Sequence, residues 1–533
     1  MTERFVVDFR IAATEWGNLL TPGWRWPVPQ AAYDEPLREF VEWAYTLPAE
    51  LPHDEQLRNA FGLVEIAMMK DLIAALGVWV DVSASRQQNL HLVHGSNQLL
   101  YRMFLEDQFS EYSVFDGPRA ARYGTARSRI GRASRRLRRK FGMDKIRGPR
   151  AVISPNQLTN EIVPAGTPSF RVDPTELRRN RLKNQDVLGN VAELAITIAD
   201  RVGAVFSNRD QQLTANATEF ILGTISRHLA HGMADQELKL PVHGNLNTLH
   251  VYVGTGASYG SRLASHLVHR EGGTVTRSTH GGESMFFEDP FWVGSELPMI
   301  TNYVTYGANL ATLITNTIAT HPRARALTEA PRVSAVGSSY HRQLVQRSTP
   351  SISAKAPTNI AVISAAFTGE RRAAPHTMNQ DVVYMEWHGR LLQALKTAGF
   401  YVISKRHPKG MLSETPLFGD FCENEIIGVP MNQLQEQVEA FVLDVAGGAF
   451  MEAMCSMKPV VLIHIPNRRM TEQGRTIIQE SAEIVVARFD DRNRVTVDNR
   501  ELVDAIRRPV DVAARKQFIG DYLLDSSEPV STG

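Results

Sequence analysis

Lys405, Arg406, His407 and Pro408 close the apolar run FYVI, Phe400 to Ile403. The proline holds the histidine before it in an extended geometry, and alternation along a strand sends Lys405 to the same side as His407. An ammonium and an imidazolium at a strand end can neutralise a departing phosphate. A second candidate lies in FVLDVAGGAFMEAM, where Asp444, Ala446, Gly447 and Gly448 stand between an apolar run and a helical pattern beginning near Ala449. Helix-start amides lack intrahelical acceptors, and two glycines leave them uncovered, giving a positive concavity suited to phosphate. Gly-Gly turns also serve tight packing alone, and both uses stay open at this level. Glu452, one turn further, suits a ribose hydroxyl. The stretch TGERRAAPHTMN, 368 to 379, is long for a strand-to-helix connection and carries Arg371, Arg372 and His376.

The first half offers a different set. VGTGASYGSR, 253 to 262, places its third glycine one residue late for a dinucleotide fingerprint, and no acid closes the following strand, so NAD binding is a minority reading. In STHGGESMFFEDPFW, 278 to 292, a strand end delivers His280, two glycines allow a turn, and Glu283, Glu288 and Asp289 follow. His280 or Glu283 could take a proton from an acceptor hydroxyl. No His/Cys cluster has zinc spacing, and GASYG puts its serine one position late for a nucleophile elbow. The expectation is phosphate handling by cations and amides, with no metal or other cofactor required.

Elements must bring these residues together. The 65–82 stretch reads as a helix feeding a strand, and 249–282 as strand, glycine turn, helix, strand and second turn. Residues 331 to 359 begin as a strand and become rich in Ser, Pro, Ala and Lys, a linker composition that suggests a boundary near 350. Beyond it, strands at 359–367, 401–408, NEIIGVP, FVLDV and KPVVLIHIP alternate with helical patterns, LQEQVEAF among them. That alternation argues for a parallel, doubly wound sheet with ligands at the carboxyl ends of its strands. The expected domains are 1–350, with a basic insertion at about 119–150; 351–510, for the nucleotide; and a helix and tail at 511–533.

Composition sets bounds. With 533 residues, 43% of them hydrophobic, the chain exceeds what one domain usually holds. A net charge of +1, from 58 basic and 57 acidic residues, provides no general field for nucleic acid or membrane. The run from Arg119 to Arg150 departs from this balance. Ile130, Leu137 and Phe141 give it helical spacing suited to an anionic lipid surface, and its arginine-rich part, with Tyr123 as its one aromatic, offers no stacking platform for nucleic acid. Two cysteines in core-like patterns, Cys422 and Cys455, favour a reducing compartment, and no leader or spanning stretch is evident. The expectation is a cytoplasmic protein, peripheral at most to a membrane.

The ordered set resembles bacterial GT-B glycosyltransferases of surface polysaccharide synthesis, a group that includes sialyltransferases, Kdo transferases and CDP-glycerol glycerophosphotransferases. The likeness covers about 249 to 525. It lies in Lys405-Arg406-His407-Pro408, in Ala446-Gly447-Gly448 with Glu452-Ala453 and Lys458-Pro459-Val460, and in His280-Gly281-Gly282 followed by SELPMITNYVTYG. The resemblance implies two Rossmann-like domains facing across a cleft, an acceptor side first and a nucleotide side second. It implies a nucleotide-sugar donor, CMP-linked Kdo or nonulosonic acid favoured, and a glycan or lipid-linked acceptor. His407 would contact the donor phosphate and the small-residue loop the phosphate or ribose. In this group that loop often carries Ser-Ser or Ser-Thr; with Gly-Gly here, only backbone donors remain. A glycerophosphotransferase, a sugar-nucleotide epimerase and a non-catalytic membrane-associated scaffold are the alternative readings.

Overall fold

A computed structural model of the chain describes residues 3–51, 54–110, 146–170, 172, 188–207, 212–240, 242–243, 245–288, 290–325, 327, 329–348, 356–370, 380–408, 412 and 415–524. Most of the basic run from Arg119 to Arg150, together with Arg371, Arg372 and His376, lies outside the described residues.

Two parallel six-stranded sheets organise the molecule. The first holds β1 (Arg150–Ile153), β2 (Ser169–Phe170), β3 (His250–Val253), β4 (Thr274–Ser278), β5 (Asn302–Thr305) and β6 (Arg332–Ala335), in the order β6-β5-β4-β3-β1-β2. The second holds β7 (Asn359–Ile363), β8 (Tyr401–Arg406), β9 (Asn424–Ile427), β10 (Ala440–Leu443), β11 (Val460–His464) and β12 (Glu483–Val486), in the order β9-β8-β7-β10-β11-β12. Both are doubly wound. The direction of strand addition reverses between β1 and β3 in the first sheet and between β7 and β10 in the second, and such reversals open a crevice at the carboxyl ends of the strands. In the second sheet, Ile363 sits in register with Lys405 on one side and Leu443 on the other. The expected α/β class with two Rossmann-like sheets is the architecture found.

Three local expectations fail for physical reasons. The 65–82 stretch does not turn into a strand; it lies inside one helix, Glu55–Gln87. Val78, Val80 and Val82 have strand preferences, but this helix is buried on nearly all sides, packing against Ala215–Asp235 and Leu99–Glu106, and burial outweighs intrinsic propensity. LQEQVEAF is not a helix: the helical turn is Met431–Leu434, started by Pro430, and Ala440 already belongs to β10. Within the linker-like composition, a helix forms over Ser339–Arg347, capped by the Ser338 hydroxyl.

Both ends of the chain tie the two sheets' layers together. Near the amino end, Phe9 stacks on Phe367, and Trp16 packs edge-on to Phe421 and beneath Gly389 of helix Asp381–Thr397. Helix Val512–Tyr522 lays Phe518 and Tyr522 against Phe286 of the first half, while Arg515 donates to the carbonyls of Ser481, Met454 and Lys458 in the second. Cys422 and Cys455 are both buried thiols. Among the described residues, no helix is long and apolar enough to cross a membrane.

Candidate functional site

A cavity opens where the second sheet reverses, lined by Ala365 and Ala366 after β7, Asp444 to Ala446 after β10, and His464, Asn467 and Arg468 at and beyond the end of β11. Phe287, from the first half of the chain, forms part of its wall. The acid at its floor is committed: Asp444 accepts from the Tyr384 hydroxyl at 2.9 Å and from the Trp387 indole at 3.3 Å. The Tyr384 oxygen in turn accepts the Ala365 amide at 2.7 Å, which fixes the turn after β7. Burial first, and then the Asp444 charge, hold the Tyr384 phenol well above its ordinary range.

The glycine turn beside this cavity is open. Gly447 caps the helix Gly448–Met454 with an extended backbone, φ −138°, and brings no side-chain cap to that helix start. A Cβ added at Gly447 or at Gly448 would meet nothing within 4 Å. Neither positive φ nor close packing accounts for glycine at these two positions, which weakens the packing use left open by the sequence.

At the end of β8, alternation separates the two cations. Arg406 turns to structure, donating to the carbonyls of Thr415 and Leu412 and pairing with Glu425 at 3.2 Å. Lys405 is only 7% exposed and faces Glu452 on the helix that follows β10. Burial pulls its ammonium below the ordinary lysine pKa, and the Glu452 charge opposes that shift. Glu452 is already engaged, accepting the Tyr340 hydroxyl at 2.7 Å, and burial raises its carboxyl pKa. The expected ribose contact therefore has a competitor within the chain. His407 is exposed immediately beyond β8. Because β7 lies between β8 and β10, two strand spacings, about 10 Å, separate the two strand ends. The fold thus puts Lys405 within electrostatic reach of Glu452 and sets His407 on the same sheet edge, one strand removed from Ala446, Gly447 and Gly448.

On the first sheet, His280 is exposed two residues past β4, and Glu283 opens a short 3-10 turn ending at Phe286. Gly282 needs its glycine: φ is +86°, and a Cβ there would approach Leu310 at 3.0 Å. The chain then runs straight into the other half. The Glu288 amide donates to the Arg469 carbonyl and the Thr471 amide to the Phe286 carbonyl, each at 3.0 Å. Glu288, one of the acids the sequence offered, also pairs with Arg38 at 3.5 Å; Asp289 lies outside the described residues.

Sequence reasoning passed over the loop after β11. Arg468 lays its guanidinium over the Phe287 ring at 4.0 Å and donates to the Ala446 carbonyl at 2.7 Å. His464 holds that loop, its Nε2 donating to the Arg468 carbonyl at 2.8 Å, and burial depresses its pKa. The signal was present in HIPNRRM, 464 to 470, where a histidine and two arginines follow an apolar run just as they do in KRHP. Among the described residues, no group of three or more His, Cys, Asp or Glu side chains could hold a metal ion.

No protein-family model and no curated protein matches the chain. Among solved structures, UGT89C1 of Arabidopsis thaliana, in complex with UDP-L-rhamnose, aligns at 12% identity with a TM-score of 0.35, over 70% of this chain and 93% of its own. The glycosyltransferase SnogD of Streptomyces nogalater aligns at 12% identity with a TM-score of 0.27, over 72% and 96% respectively. Similarity at this level establishes neither a shared family nor a shared activity.

Proposed function

We propose that the chain is a GT-B glycosyltransferase that moves a sugar from a nucleotide-activated donor to a glycan or lipid-linked acceptor of the cell surface. The donor favoured is CMP-linked, carrying Kdo or a nonulosonic acid. The observation that carries this reading is the cavity at the reversal of the second sheet, bordered by a glycine turn with open space at both glycines. In this reading the turn at Ala446, Gly447 and Gly448 receives the donor phosphate, while Lys405 and His407 supply positive charge as the sugar leaves. Glu452 reaches a ribose hydroxyl once Tyr340 yields it. In this reading His280 or Glu283, from the first half of the chain, takes the acceptor proton, and Arg371 contributes from the 368–379 stretch. The domains divide near 350 and 510, and the segment from Arg119 to Arg150 rests on an anionic membrane surface. Incubation with CMP-, UDP- and GDP-sugars and detection of the released nucleotide tests the reading. Release of CMP is expected. His407→Ala should lower turnover by about 100-fold or more with folding intact, and unchanged turnover would remove His407 from the mechanism. Failure to turn over any donor would remove the enzyme reading as a whole.

A further inference from the structure

The loop after β11 holds a cation whose hydrogen bonding is incomplete. Among the described residues Arg468 forms no ion pair with a carboxylate, and its guanidinium donates a single hydrogen bond, to the Ala446 carbonyl, leaving a buried Nε without an acceptor. Arg406, three strands away at the end of β8, also has a buried Nε without an acceptor, but it has Glu425 at 3.2 Å. A half-buried guanidinium with five donors and one acceptor retains capacity for an anion. The nearby acids do not supply it. Asp444 is taken by Tyr384 and Trp387, and Asp381 accepts the Gly369 amide at 2.5 Å.

The surroundings fix where that capacity is presented. Phe287 supports one face of the guanidinium, and the bond to Ala446 sets it beside Gly447 and Gly448, where added side chains would meet open space. His464 lines the cavity and secures the loop by donating to the Arg468 carbonyl. We propose that Arg468 is the phosphate-binding cation of this cavity, offering its guanidinium fork to the 5′-phosphate of a nucleotide lying across the carboxyl ends of β7, β10 and β11. The proposal rests on the nucleotide-donor reading for the class of ligand, and it places the principal cation on the β11 side of the glycine turn. Since Arg468 also rests on Phe287, phosphate binding would act directly on a contact between the two halves of the molecule.

Calorimetric titration of the full chain with CMP and UDP, and with cytidine and uridine, tests this. In the parent, at least one of the two nucleotides should bind more tightly than its matching nucleoside. Arg468→Gln should weaken that nucleotide by about 10-fold or more while leaving nucleoside affinity unchanged. Arg468→Lys, which keeps the charge and loses the planar fork, should fall between the two. It carries the test if the glutamine variant does not fold. Nucleotide affinity at the parental level in the folded variants, or equal binding of nucleotide and nucleoside by the parent, overturns the proposal. Sugar transfer is not read in this experiment. A chain that transfers no sugar but binds nucleotide through Arg468 keeps this inference and loses the transferase reading; a transferase indifferent to Arg468 does the reverse.

Discussion

Two glycine turns occupy comparable places in the two sheets, one after β3 and one after β10, and they have opposite interiors. After β3, a Cβ at Gly254 would fall 2.3 Å from the Ser154 carbonyl, and one at Gly256 would fall 1.9 Å from the Ser295 carbonyl. The amide of Gly256 and the hydroxyl of Thr255 are already bound, at 3.1 and 3.0 Å, by the Glu296 carboxylate. The first turn carries its own anion. After β10, the corresponding space is open and the adjacent charge, Arg468, is positive. A strand, two glycines and a helix do not by themselves make a phosphate seat; what fills the volume beyond the missing Cβ decides it.

Substitutions can break this comparison, and the largest effect is expected at Gly256. Gly256→Ala forces a methyl into the Ser295 carbonyl and should destabilise the protein by on the order of 4 kcal/mol or prevent folding, as read by chemical denaturation. Gly447→Ala and Gly448→Ala should stay within about 1 kcal/mol of the parent and can be slightly stabilising. Equal damage at both turns would end the distinction.

A smaller effect is expected from Glu296→Gln. It removes the carboxylate that holds the Gly256 amide and the Thr255 hydroxyl and should cost about 1–3 kcal/mol. No ligand should compensate, because the anion of that turn is part of the chain. If Glu296→Gln gains affinity for pyrophosphate, the first turn is a latent phosphate site as well, and the contrast narrows.

The smallest effect concerns pH. His464 accepts from Arg475 at Nδ1, at 3.5 Å, while Nε2 donates to the Arg468 carbonyl. Burial lowers its folded pKa beneath the ordinary value of 6.5. The unfolded chain therefore takes up the proton first as pH falls. This contribution to stability is present above about pH 6.5 and is lost as pH drops toward the folded pKa. Buried His266 and His341, each pushed down to about 4, act in the same direction. His464→Gln should flatten the acid limb of a stability-against-pH curve slightly, and an unchanged slope would show that His464 does not contribute to it.

The sequence by itself determined most of the alternation of strands and helices in the second half, with the strands expected at 401–408 and FVLDV found as Tyr401–Arg406 and Ala440–Leu443, and the burial of both cysteines. These follow from local periodicity and turn chemistry, which neighbouring residues encode. Periodicity also marked His280 and His407 as strand-end residues, and both are exposed there. Tertiary structure alone decided that Glu55–Gln87 is one unbroken helix, because the partners that bury it are distant in the chain. It decided that Glu452 is met by Tyr340, that Arg406 is consumed by Glu425, and that Arg468 is seated on Phe287. Spacing fixes the direction in which a side chain leaves the backbone. Whether it meets a carboxylate, a ring or open space depends on segments that only folding brings within a few ångströms.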